Sequence, residues 1–150
     1  MPYSPILAPV VALVAWTLVM LLWMYATRLP AMKRAGISVK GRVGSRGNDL
    51  DGVIDESVQW KSHNYNHLLE QPTIFYAIAL TLALMGFGGG INYWLAWGYV
   101  GFRIAHSLVQ ATVNVVRIRF LLFAGASICL IGLTTHAGIR LLHDCGLLRF

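Results

Sequence analysis

The chain has 150 residues, of which 57% are hydrophobic and 12% charged. That balance excludes a disordered chain and speaks against a water-soluble globular domain. The formal net charge of +6 does not point to nucleic acid, because the basic residues gather in the links between apolar segments.

Pro2, Pro5 and Pro9 make an irregular lead-in that can start a helix without interrupting one. The first apolar segment runs from about 6 to 26. No basic residue precedes it, and Trp23-Met24-Tyr25 is a poor cleavage site, so it reads as a retained helix and not a secretory signal. Pro30 follows and is expected to help stop it. Residues 36–57 form the longest polar stretch. The run from Gly41 to Gly47 is rich in glycine but lacks the Lys-Ser/Thr pair of a phosphate-cradling loop, so a flexible link is expected.

The second apolar segment spans about 63 to 85. Pro72 lies about three turns into it and should kink it, freeing a carbonyl near Leu68. Gly86-Phe87-Gly88-Gly89-Gly90 is an uncharged link. The third segment, about 91 to 113, carries Gly98 and Gly101, small enough for close helix approach. The fourth, about 120 to 142, has Thr134, Thr135 and His136 as its polar cluster. Each segment has about the 20 residues that cross a bilayer core. The expected architecture is therefore all-α: a four-transmembrane-helix bundle in one integral membrane domain.

Arg28, Lys33, Arg34, Lys40, Arg42, Arg46 and Lys61 lie around the first link, and Arg117 and Arg119 at the third. The positive-inside rule puts loops 28–60 and 114–119 in the cytoplasm and both termini outside, with Arg140 and Arg149 pulling the other way. The absence of a signal segment and of glycosylation sequons favours a bacterial inner membrane. Cys129 and Cys145 have neither zinc-site nor CxxC spacing, and no disulfide is expected between them.

Chemistry concentrates on two stripes. His63, Asn66, His67 and Glu70 are spaced i, i+3, i+4, i+7, which places them on one face of helix two. Arg103, His106, Gln110 and Asn114 form a matching stripe on helix three. Glu70 is nine residues beyond Lys61, a rise of about 13 Å, and Arg103 and His106 bracket that depth from the other helix. A carboxylate so deep needs a protein or watery neighbour. A Glu70–Arg103 pair is the natural expectation, with His106 as second partner. Such a pair can simply hold helices together, but packing does not require the additional polar groups. His63 and His67 stand one turn apart as two metal ligands would, yet no HExxH pattern or cysteine ligand accompanies them, and no metal is expected.

The pattern NHLLEQPTIF (66–75), followed by GFRIAHSLVQ (101–110), in a four-helix chain of this length resembles the MAPEG family. These are membrane-associated proteins of eicosanoid and glutathione metabolism, and they include the microsomal glutathione transferases. The family's helix-two motif, Arg-x-x-x-Asn-x-x-Glu with a proline soon after, is matched by Glu70 and Pro72. His63 stands at its Arg position and His67 at its Asn position, with Asn66 beside it. Arg103 and His106 match the helix-three Arg-x-x-His/Tyr, and Gln110 replaces a tyrosine one turn later. The family's thiolate-stabilising arginine corresponds to Arg119 or Arg117.

The resemblance implies a homotrimer with glutathione as co-substrate, held between subunits at the cytoplasmic side, and lipophilic small molecules and membrane lipids as the other partners. It implies a glutathione-dependent transferase or peroxidase, with Arg119 or Arg117 catalytic. His63, Asn66, His67, Glu70, Arg103, His106 and Gln110 would then shape the pocket. His63 and Gln110 take away a fixed charge and a phenol from that pocket. A second reading follows from the loss: a non-catalytic lipid-binding or scaffold protein of the same fold. A third, a small proton-coupled exporter built on Glu70, fits poorly with the dense polar surroundings of that acid.

Overall fold

A computed structural model of the protein describes residues 3–38, 40, 43–44 and 46–146. Arg42 and Arg149, counted above in the charge asymmetry, and Gly41 and Ser45 of the glycine-rich run lie outside the described residues. Four helices follow in order: α1 (Leu7–Arg34), α2 (Glu56–Leu84), α3 (Ile91–Thr112) and α4 (Val116–Asp144), with a 3-10 turn at Gly47–Leu50 before α2. Strands are absent among the described residues. α3 packs against α1, α2 and α4, and α2 also packs against α1 and α4.

α1, α2 and α4 are long and apolar enough to cross a membrane. Their outward faces agree with that: Leu22 is 68% exposed and Phe120 67%, among many other large apolar side chains. A bilayer, and not water, is the solvent such a surface suits. α3 has 22 residues, a length of about 33 Å. It falls outside that set, and its polar stripe is turned inward: Asn92, Arg103, His106, Ser107 and Gln110 are all buried.

The core is one apolar cluster built from an inward stripe of each helix. Leu13 and Met20 of α1 meet Leu68, Phe75, Ala79 and Leu82 of α2, Tyr99 and Val100 of α3, and Leu130 and Leu133 of α4. Phe75 stacks on Tyr99 with ring centroids 4.4 Å apart and planes at 14°.

Two expectations about the first link are corrected. Pro30 does not stop α1, which continues to Arg34. A proline forfeits one backbone hydrogen bond, and the turn beyond it is held by other means. Ala31 packs with Leu50, Ile54 and Val58 in a second small cluster, and Lys33 and Arg34 complement the negative end of the helix dipole. The described part of the link is also less free than expected. Arg28 donates to Ser62 Oγ (2.8 Å) and to the Gly47 carbonyl (2.6 Å), and α2 starts two turns before the apolar segment.

Pro72 lies inside α2, which runs on past it as expected. Gly86, just after α2, takes φ +66°, a left-handed turn that glycine adopts without strain. Of the two small residues expected to draw helices together, only Gly98 does so: a Cβ there would stand 3.2 Å from Cys129 Sγ. Gly101 has open space around it. The tightest glycine contact lies elsewhere. A Cβ on Gly88 would meet Ser4 and stand 2.6 Å from Cγ2 of the fully buried Ile6. Gly88→Ala is therefore expected to destabilise the protein by about 1–3 kcal/mol in thermal unfolding in detergent, whereas Gly101→Ala should not lower stability.

Candidate functional site

The buried face of α2 follows Asn64, Leu68, Pro72, Phe75, Ala79 and Leu82. His63, His67 and Glu70 lie on its flank, about 100° or more around the helix. Three expectations change for this geometric reason. Asn66 is exposed, and the asparagine that enters the bundle is Asn64, fully buried. Glu70 points outward with a side chain 68% exposed. No Glu70–Arg103 ion pair forms among the described residues. Glu70 instead pairs with His67 one turn away, Oε2 to Nδ1 at 3.0 Å.

Arg103, on the inward face of α3, is 0% exposed. Its Nη2 donates to the His67 carbonyl at 2.7 Å, one residue before the carbonyl that Pro72 deprives of its usual donor. Its Nε and Nη1 have no partner. One turn on, Ser107 ties three helices together: its Oγ accepts from Trp16 Nε1 of α1 (3.0 Å) and from Asn64 Nδ2 of α2 (2.7 Å).

The end of α3 sets up the remaining cation. Asn114 adopts φ +51°, the left-handed conformation that asparagine tolerates better than most residues. Its N–H bonds back to the Val109 carbonyl at 2.7 Å, which closes α3. Its side-chain Oδ1 accepts from Arg119 Nη1 at 2.7 Å. Arg119 is thereby held half-buried over the bundle, with Nε unpartnered. Arg117 is exposed.

These groups converge on a groove of about 270 Å³ lined by His67, His106, Val116, Arg119, Phe120 and Phe123. The His67 and His106 rings meet edge-on at 4.8 Å, and His67 stacks on Phe123 at 5.6 Å. The Arg103 guanidinium sits 5.9 Å from the same Phe123 ring. His67, His106 and Arg119 of the expected site residues thus line one place, with Arg103 directly behind. His63 lies further along the flank and pairs with Asp51 at 3.2 Å. Gln110 is buried with its Oε1 unpartnered. Val116, Phe120 and Phe123 were not anticipated, because apolar residues of an apolar helix carry no distinguishing signal. No grouping of three metal-ligating side chains occurs among the described residues.

The groove offers guanidinium donors, two imidazoles and an apolar wall, and its lining carries no thiol or hydroxyl. It suits an anionic head with a greasy body, and a thiol nucleophile would have to arrive with a ligand. A larger hollow of about 390 Å³ lies between Phe87, Ile91, His136, Ile139, Arg140 and His143. There Arg140 is already engaged by Asp144 (3.1 Å) and by the Phe87 ring.

A polytopic helical membrane protein with a cationic groove between α2, α3 and α4 is the class that fold and site define. The sequence model of the MAPEG family matches residues 6–139, nearly the whole chain, and the protein belongs to that family. No curated protein and no solved structure matches it.

Ser107→Ala would strand two donors, the buried one of Asn64 and the half-buried one of Trp16. It is expected to cost about 2–3 kcal/mol, read as a lowered midpoint of thermal unfolding in detergent. A loss smaller than that of an exposed serine, Ser57→Ala, would contradict this bridging role.

Proposed function

We propose that the protein is a glutathione-dependent membrane transferase or peroxidase acting on lipophilic electrophiles. The observation that carries this reading is Arg119, fixed by Asn114 with an unpartnered Nε at a groove walled by Phe120 and Phe123. A guanidinium beside a thiol favours the thiolate and raises its nucleophilic fraction. The thiolate sulfur forms the new bond to the electrophile, and the leaving group takes the electron pair. The bilayer delivers the second substrate to the apolar wall. Arg103, behind the groove, adds positive potential without direct exposure.

The reading includes a homotrimer. An exposed carboxylate on a membrane span is costly when it faces lipid, so Glu70 supports a neighbouring subunit on that flank. It also includes cytoplasmic loops at 28–60 and 114–119, outward termini and a bacterial inner membrane.

One observation favours the alternative, a non-catalytic lipid-binding or scaffold protein. At the position where the family motif has arginine, His63 is paired with Asp51, so that end offers no fixed cation to a carboxylate of glutathione.

Calorimetric titration of the detergent-solubilised protein with glutathione separates the two. Saturable binding is expected, together with the ultraviolet absorbance of a bound thiolate. Arg119→Ala should abolish the thiolate signal, whereas Arg117→Ala, outside the groove, should leave it in place. Absence of binding up to about 10 mM, less than ~3 kcal/mol of affinity, would reject the transferase reading in favour of the lipid-binding one.

A further inference from the structure

A second hollow, of about 250 Å³, opens where the first link meets α2, lined by Asp51, Glu56, Gln59, Trp60, His63 and Asn114. It adjoins the groove, since Asn114 lines the one and holds Arg119 of the other. Its chemistry is of the opposite sign. We propose that it binds a primary alkylammonium group.

Four observations support this. Asp51 and Glu56 bring two carboxylates to one small space. Asp51 accepts from Gln59 Nε2 and pairs with His63, while Glu56 has no side-chain hydrogen bond or ion pair among the described residues. Gln59 is only 2% exposed, yet its Oε1 has no donor. Its amide orientation is fixed, because Nε2 faces two acceptors, the Asp51 carboxylate and the Gly47 carbonyl. A buried acceptor of this kind calls for an N–H or O–H from outside the chain. Trp60 supplies an indole, the aromatic side chain that attracts cations most strongly.

Two basic side chains of the neighbouring elements already have partners, and neither lines the hollow. Lys61 Nζ is bonded to the Ser57 carbonyl and lies over Trp23. Arg28 is bound to Ser62 and Gly47. The positive end of α2 offsets part of the Glu56 charge, but Asp51 lies off the helix and keeps its own. An organic cation suits the site better than a metal ion: no cluster of three metal-ligating side chains exists among the described residues, and an indole is no ligand for a hard cation. The hollow has room for an ammonium and a few carbons. Its place at the end of the spanning helices makes two sources available, a soluble amine or the ethanolamine headgroup of a phospholipid. The proposal does not rest on a thiol co-substrate.

The test is calorimetric titration of the full-length protein in detergent with propylammonium chloride, against tetramethylammonium chloride at equal ionic strength. Saturable propylammonium binding is expected, with tetramethylammonium weaker because it has no N–H for Gln59. Asp51→Asn and Glu56→Gln should each weaken binding about tenfold, and Glu56→Gln removes no intramolecular partner should the first variant fail to fold. The titration is then repeated in phosphatidylcholine nanodiscs with and without phosphatidylethanolamine. Competition by the aminophospholipid assigns the site to a headgroup, and an unchanged titration assigns it to a soluble amine. No saturable propylammonium binding in detergent, or binding indifferent to Glu56→Gln, overturns the proposal.

Discussion

The hydrogen bond from Arg103 to the His67 carbonyl is the constraint on which the rest of the polar architecture depends. A guanidinium with no exposed surface in an apolar bundle carries a large desolvation cost, and even one good acceptor offsets only part of it. Backbone acceptors inside a regular helix are usually engaged by the helix itself. Pro72 changes that locally, because it removes a donor from α2 and crowds the preceding turn. The His67 carbonyl lies one residue before the acceptor so freed, at the level where α3 brings its arginine.

The same logic explains why α3 keeps its polar residues enclosed. Its polar stripe is shielded by α1, α2 and α4, and several polar side chains near it satisfy a neighbour. Ser107 accepts from two helices at once. Tyr99 reaches Gln71 Oε1 at 3.4 Å, and Gln71 in turn donates to Ser127 of α4 at 2.9 Å. His136 of α4 meets Asn92 at 2.7 Å. The outward faces of α1 and α4 then need only be greasy. Polar inside and apolar outside is the arrangement a membrane selects.

Much of this was legible in the chain. Four helices followed from apolar length, and the polar stripe of α3 from its spacing. The ends of α1 and α2 were not, because Pro30 reads as a stop unless the small Ala31–Leu50–Ile54–Val58 cluster beyond it is known. The stripe on α2 was read as a face but not aimed correctly. Asn64 and Asn66 differ by 200° around the helix, and nothing in their neighbourhood says which of them enters a bundle whose other walls are distant in sequence. Phe120 and Phe123 were invisible for a related reason. In an apolar helix, a residue lining a site and one facing lipid look alike.

Charge balance around the two histidines gives the site its individuality. His67 is paired with Glu70 and His63 with Asp51, so each imidazole at a family motif position comes with a carboxylate. An arginine at either position would keep its full charge beside such a partner and still attract anions. An imidazole has no such permanent charge, and each of these two is already matched by a carboxylate. Unpartnered guanidinium N–H groups lie at one end of the flank, on Arg103 and Arg119, while the other end carries the carboxylates of Asp51 and Glu56. A ligand lying along α2 and α3 would experience a dipolar surface rather than a uniformly cationic one. Such a surface orients a zwitterion, with its anionic end toward α4 and its ammonium toward the first link.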